Sequence, residues 1–527
     1  MIQKTRKALA VGWGTALLCT LVASNAARAT SDAFDPLNIK TGGPGNVVEY
    51  VVEGGTAEKS PYIGIQPTNA NGNQSWKWCT GLDDPICDPK NNPVGMKATS
   101  ILPPCTSSTQ ENCLDSVEIG TPNNLSKADL SRVISGLTFP ANPSYNYLGS
   151  SNISLWNVPG VASSGGQSTY AVMPRIQSYF RDGRFYLGEL FVNVIPYREA
   201  LDPKYKAQKI DTTAPSTPMY PYTYSRYQQI CVYEEDGKCG IAQDFPSDTR
   251  IKIKIRVTKE LGGWFQGRLR DPVMDVQNFS INNNVVTVEA SAVTVPRMAL
   301  LTNQANFSDF EKTEYTKMGY WPTADDGNGS GAQAGIPADV FPFLEYYRLK
   351  VKDTALATNT FWNFSTTSPG NGSSCLQDSS KLLGIVSTNS MAYDGTAPSF
   401  SNGSLDYHVS GLHYMPDGTT PVQGTYNLVM RSDVARCLYG FSSAPIKATI
   451  SIAGASDGPV ATTLSGETNG WLSLAAAGFT FSQKNIQVKL TQDASTPKKT
   501  TITCIKGKLT KSVSAVKPTC PTGYKKK

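Results

Sequence analysis

Three cysteine pairs in this chain, Cys79/Cys87, Cys105/Cys113 and Cys231/Cys239, each enclose seven residues. Four more cysteines follow at Cys375, Cys437, Cys504 and Cys520, and one, Cys19, lies in an N-terminal apolar stretch. Setting Cys19 aside leaves ten, an even number. In an exported chain that pattern reads as a disulfide framework. The repeated interval favours pairing between neighbours, so 79–87, 105–113, 231–239, 375–437 and 504–520 are the expected bridges. Zinc is the rival use of clustered cysteines. No pair here has the short spacing of zinc ligands, and the chain holds only two histidines.

Export is itself read from the N-terminus. Lys4, Arg6 and Lys7 form a basic start, Ala8 to Ala23 an apolar run, and Ala27-Arg28-Ala29 a small-x-small cleavage site. Residues 1–29 are therefore expected to be a signal peptide. Lipidation at Cys19 fits poorly, because bulky Leu17 and Leu18 precede it. No later segment approaches the roughly 18 apolar residues of a membrane helix, so no membrane span is expected in the mature chain.

The expected fold class is all-β, with several β-sandwich (immunoglobulin-like) domains stapled by disulfides and little helix. Charged residues make up 17% of the chain, turn-forming residues are plentiful, and long 3.6-residue apolar patterns are scarce. The clearest strand is IKIKIRVT, Ile251 to Thr258, where Ile251, Ile253, Ile255 and Val257 alternate with Lys252, Lys254 and Arg256. Asp236-Gly237, Asn282-Asn283-Asn284, Asp457-Gly458 and Asn469-Gly470 mark turns between strands. One segment invites a helix: Ser126 with Asp129 resembles a capping box ahead of LSRVI. Pro- and Gly-rich stretches divide the chain into 30–210, an N-terminal β-rich domain; 211–322, a middle β domain; and 323–430, a β-rich domain with long loops. A C-terminal β-sandwich module at 431–495 and a basic two-cysteine tail at 496–527 complete the expected division.

Signals for catalysis are weak. His408 and His413 are five residues apart and fall on opposite faces of a strand. Gly454-Ala455-Ser456-Asp457-Gly458 matches a nucleophile elbow in letters, but that elbow needs a strand entering a helix, and here one strand leads to another. Asp326, Asn328 and Ser330 place oxygens at alternate positions as a calcium loop does, without the glutamate that closes such a loop. Calcium is therefore the one cofactor considered, and none is required. Tyr220, Tyr222 and Tyr224 share one side of an extended segment and can either stack on sugars or cover a sheet. Lys252, Lys254 and Arg256 form a basic strand face, read chiefly as solvated.

The run VMRSDVARCLYGFSSAPIKATISI, Val429 to Ile452, resembles a module of large secreted actinobacterial surface proteins of unassigned activity. GWFQGRLRDPVMDV from Gly263 and SMAYDGTAPSFSNGSLDYHVSGLHYMPDG from Ser390 resemble the same module. The tail TITCIKGKLTKSVSAVKPTCPTGYKKK is similar to a C-terminal segment on exported proteins of those bacteria. The resemblance implies export and a bacterial surface, and carries no catalytic residues.

Charge sharpens that reading. The chain has 48 Lys+Arg and 42 Asp+Glu, yet residues 494–527 hold nine lysines and no acid. Without those and the four bases of residues 1–29, 35 bases face 42 acids, so a basic tail sits on an acidic body. Lys506, Lys508, Lys511, Lys525, Lys526 and Lys527 are the candidate polyanion-binding residues. Anionic cell-envelope glycans are the expected partner; nucleic acid is a poor one for an exported chain. The expected function is non-enzymatic adhesion or glycan binding at the cell surface or wall. A secreted polysaccharide-acting enzyme using a carboxylate pair, or a structural surface-layer subunit, is the alternative.

Overall fold

The computed structural model describes residues 46–50, 60–65, 77–90, 95–207, 231–302, 307–317, 340–442, 445–453, 461–481, 484–492 and 500–527. The chain is all-β as expected, with three α-helices among the described residues, Asp309–Lys317, Val340–Lys350 and Ser432–Tyr439. All five disulfides join sequence neighbours, in the pairing the intervals predict: Cys79 with Cys87, Cys105 with Cys113, Cys231 with Cys239, Cys375 with Cys437 and Cys504 with Cys520.

Ile251, Ile253, Ile255 and Val257 are fully buried along Arg250–Thr258, as their alternation requires. This strand is the middle of a five-stranded sheet ordered Arg270–Asn278, Asn283–Ser291, Arg250–Thr258, Cys113–Thr121, Asn124–Lys127. The sheet packs on one face of a larger one. Along its main path the larger sheet runs Ala461–Thr468, Trp471–Thr480, Gln423–Arg431, Leu382–Thr388, Gly263–Arg268, Asn363–Thr367, Arg184–Leu201, Thr169–Arg181, Met96–Ile101, Tyr62–Ile65, Lys77–Cys79. A second small sheet, built on Ser404–Ser410, Lys484–Gln492 and Ile446–Ala453, covers the opposite face.

Two sandwiches thus share one sheet. In Gln423–Arg431, Val429 points into the core with Ile253 and Val192, while Leu428 and Met430 point into the core with Tyr407 and Val488. Leu382–Thr388 is buried at every position because both its faces are covered, as a near-continuous apolar run implies. It pairs in parallel with Gly263–Arg268 and antiparallel with Gln423–Arg431.

Strand pairing crosses the expected divisions near 210, 322 and 430. Cys113–Thr121 pairs with Arg250–Thr258, Gly263–Arg268 with Leu382–Thr388, and Gln423–Arg431 with Trp471–Thr480. Strands from either side of each boundary complete one another's hydrogen bonds. The helix expected at Ser126 is corrected. Asn124–Lys127 returns along Cys113–Thr121 as a hairpin, and Asp129–Val133 pairs with Ser154–Asn157. The stretch is too short to bury a helical face, and cross-strand pairing overrides its weak local preference.

A true capping box lies at Ser308. Its hydroxyl accepts from the Glu311 N–H (3.3 Å), and the Glu311 carboxylate accepts from the Ser308 N–H (2.8 Å). It starts Asp309–Lys317, which with Val340–Lys350 packs Phe307, Phe343 and Tyr347 into a separate core beside Val293–Thr302.

Candidate functional site

The tail forms its own three-stranded antiparallel sheet, ordered Leu509–Ala515, Thr500–Lys506, Lys525–Lys526. Lys506 and Leu509 close a two-residue turn in which Gly507 takes a φ of 59°, a conformation glycine adopts without steric cost. Cys504–Cys520 then ties the returning chain back over the central strand, so that Cys504 is fully buried. Lys525 pairs with Ile505 and Lys526 with Cys504. Among the described residues, no tail side chain belongs to any apolar core of the body.

All of Lys506, Lys508, Lys511, Lys525, Lys526 and Lys527 are exposed, as is Lys517. No acid occurs in residues 500–527. Because cross-strand partners share a face, Lys511, Cys504 and Lys526 form one row, with the two lysines about 10 Å apart at the backbone. Lys506 lies on the same face, two residues along; Gly523 sits beside its side chain. The predicted basic hairpin is therefore a disulfide-closed sheet that holds its cations outward and supplies no acidic side chain against them.

The chain matches no family model, no curated protein and no solved structure at a significant level.

Five of the eight cysteines of the body are buried, while Cys105 and Cys375 are half-buried and Cys437 is exposed. Cys79, Cys87, Cys113 and Cys239 are fully buried, and Cys231 very nearly so. Cys239 closes its bridge on the hairpin of Cys231–Glu235 and Lys238–Ala242, where both sulfurs pack with Tyr205 in a small core of their own. The five buried sulfurs lie inside and are oxidised, so they staple the fold.

The other predicted positions fare differently. Tyr220, Tyr222 and Tyr224, the calcium-loop residues Asp326, Asn328 and Ser330, and Gly454 to Gly458 lie outside the described residues. No group of three or more His, Cys, Asp or Glu side chains is placed to hold a metal among the described residues. No described helix is long and apolar enough to cross a membrane. The basic strand face is corrected. Lys252 pairs with Glu118 (3.3 Å), Arg250 with Glu289 (2.6 Å) and Arg256 with Asp115. Arg256 is buried, donates to the Ser107 and Gln110 carbonyls, and lies 4.5 Å over the Phe279 ring. Neighbouring strands thus supply acids to Lys252 and Arg256, which the one-strand reading could not see, while Lys254 has no ion pair among the described residues.

Each histidine is held by one aspartate. The Asp394 carboxylate accepts from the His408 N–H (2.7 Å) and contacts its Nδ1 (3.0 Å). Asp353 does the same for His413 through its N–H (3.0 Å) and Nδ1. The Asp394 hydrogen bond outweighs burial and raises the His408 pKa above its ordinary value. Folding therefore favours protonated His408. That contribution is full below the unfolded pKa near 6.5 and is lost as pH rises through the folded one. The side chain is 48% exposed, so screening keeps the effect well under about 1 kcal/mol. Thermal unfolding followed from pH 5 to 9 is expected to show this small decline, and H408N to remove it.

Sequence reading missed a polar cluster on the body. Arg132 joins Glu235 (2.7 Å) and Glu199 (3.2 Å), and the Tyr233 hydroxyl donates to Glu199 (2.6 Å). Its residues come from separate strands and loops, so no local motif announces it. Burial opposes ionisation of Glu235, but the Ser135 N–H and hydroxyl together with Arg132 hold its carboxyl below the ordinary range. The cavity beside it, lined by Ser135, Asn152 and Glu234, measures about 20 Å³, room for about one water.

Proposed function

We propose that this chain is a secreted, non-enzymatic protein of the cell surface or wall, acting in adhesion or glycan binding, whose C-terminal sheet retains it on anionic envelope polymers. The observation that carries the reading is the tail sheet itself: seven exposed lysines, no acid, a disulfide that fixes their positions, and no share in the body's core. A disulfide-rich all-β chain without a membrane-spanning helix among its described residues is compatible with life outside the cell. The actinobacterial setting rests on the resemblance of the Val429 to Ile452 run and of the tail.

The electrostatics favour a polymer over a small ion. The tail strands are about 20 Å long, and the Debye length at physiological salt is about 8 Å. Neighbouring lysines therefore act together on an extended anion, and each added anionic group along a polymer finds another cation. The same argument makes retention sensitive to salt.

The test compares residues 30–527 with 30–497 on washed actinobacterial cells. The longer chain is expected to be retained at least about tenfold better at roughly 0.05 M salt, an advantage mostly lost near 1 M, where the Debye length is about 3 Å. Equal retention of the two chains at both salt concentrations rejects the reading. Release of sugar from wall polysaccharide by the purified chain would replace it with a hydrolase.

A further inference from the structure

We infer that the open face of the tail sheet reads an acidic polysaccharide through its hydroxyls, with the lysines at its edge anchoring the anionic groups. This rests on the proposed retention by the tail and says which chemistry the tail recognises.

The two faces of this sheet are unequal. One holds buried Cys504, the disulfide and the loop that brings Gly523 against Lys506. Alternation puts Thr501, Thr503 and Ile505 on the other face, opposite Ser514, Ser512 and Thr510 of the neighbouring strand. On the far side of the central strand, Lys525 lies opposite Ile505. The Lys527 N–H donates to the Thr503 carbonyl (2.8 Å), which carries the same alternation to Lys527. Apart from half-buried Ile505, every one of these side chains is exposed. The result is a flat field of hydroxyls with two ammonium groups along one edge, about 7 Å apart at the backbone.

Not all of the hydroxyls are equivalent. Thr501 and Ser514 hydrogen-bond each other. Thr503 and Ser512 face each other in the next row and make no side-chain hydrogen bond with any described residue. A hydroxyl both donates and accepts. A pair of them suits a sugar, whose own hydroxyls need both roles, better than a bare polyphosphate, which only accepts. The adjacent lysines add charge-assisted bonds to carboxylate or phosphate groups along the same chain. An apolar partner has only half-buried Ile505 to cover here, and a basic one would meet like charge.

The experiment uses the full oxidised chain and the double variant T503V/S512A. It keeps every charge, and valine is at least as favourable as threonine in a strand. The probes are alginate, which carries carboxylates; phosphomannan, which carries phosphates on sugars; and inorganic polyphosphate, which offers charge without sugar. At about 0.15 M salt the variant is expected to bind whichever sugar polymer the wild type prefers about tenfold more weakly, with polyphosphate binding unchanged within about twofold. The preferred polymer names the anion. An unchanged affinity for both sugar polymers, or an equal loss on polyphosphate, overturns the inference. A chain ending at residue 497 that binds the sugar polymers as well as the full chain does would instead reject retention by the tail.

Discussion

Replacing Cys375 and Cys437 together by alanine is expected to destabilise the full chain by about 4 kcal/mol, against about 2.5 kcal/mol for the same change at Cys79 and Cys87. The difference lies in loop length. The first bridge spans 62 positions and the second 8, and closing a longer loop removes more freedom from the unfolded chain. The long bridge also joins places that carry packing. Cys375 sits in the short 3-10 turn Ser374–Leu376, where buried Leu376 accepts a hydrogen bond from the Trp264 indole (3.1 Å). Cys437 sits on Ser432–Tyr439, which turns off the end of Gln423–Arg431 and buries Val434 and Ala435 in the same core. Between the two cysteines run two strands of the shared sheet, Leu382–Thr388 and Gln423–Arg431, and three of the sheet that covers it, Ala392–Tyr393, Ser399–Ser401 and Ser404–Ser410. For a cooperative unit of 150–250 residues, about 4 kcal/mol corresponds to a fall of roughly 10 °C in the unfolding midpoint. Calorimetry of the two double variants tests this. A fall at 375/437 no larger than at 79/87 defeats the loop-length account.

What was legible in the sequence was local. Ile251 to Val257 alternate, and the period alone places them in a core. Asn469-Gly470 reads as a tight turn, and both residues have the positive φ (51° and 80°) that such a turn demands. The bridge from Cys231 to Cys239 was legible because it closes across one hairpin turn, at Asp236-Gly237. The tail was legible for the same reason: its hairpin and its bridge close within a few residues of one another. A comparable signal at Asp182-Gly183 went unread, though it joins the two long strands Thr169–Arg181 and Arg184–Leu201. The capping box at Ser308 and the glycine C-cap at Gly440 (φ 65°) were also present in the letters.

The sharing of one sheet by two sandwiches was not legible, for a physical reason. Gly263–Arg268 meets Leu382–Thr388 in parallel, and a parallel pair requires a long crossover that leaves no turn signal. A short apolar run such as LLGIV reads equally well as a strand covered on both faces or as part of a buried helix. The acids paired with Lys252 and Arg256 were missed in the same way, since Glu118 and Asp115 come from another strand. Wherever function depends on residues gathered across strands, as around Arg132, pattern reading along one strand could not reach it.

Arg268 is expected to be the most costly single polar substitution in the core. Its side chain is fully buried at the end of Gly263–Arg268, and no acid pairs with it among the described residues. Its guanidinium donates instead to three backbone carbonyls, those of Thr388 (3.2 Å), Ser390 and Met391 (3.4 Å), and lies 4.4 Å over the Tyr393 ring. These carbonyls belong to the bend where the chain leaves the shared sheet at Thr388 and enters the covering sheet at Ala392. The arginine therefore ties the two layers at their crossing. Arg268→Met keeps much of the volume and removes a buried cation, which by itself is favourable. It also leaves three buried carbonyls without a donor, at about 1–3 kcal/mol each. The carbonyls win, and a net loss of about 3 kcal/mol is expected. Arg268→Lys keeps the charge but replaces the planar fork with a single ammonium, which satisfies fewer of the three, so a loss of about 2 kcal/mol is expected. Denaturant unfolding of both variants measures the order. Arg268→Met as stable as the wild type would mean that the bend satisfies its carbonyls without the guanidinium, and that Arg268 does not tie the layers together.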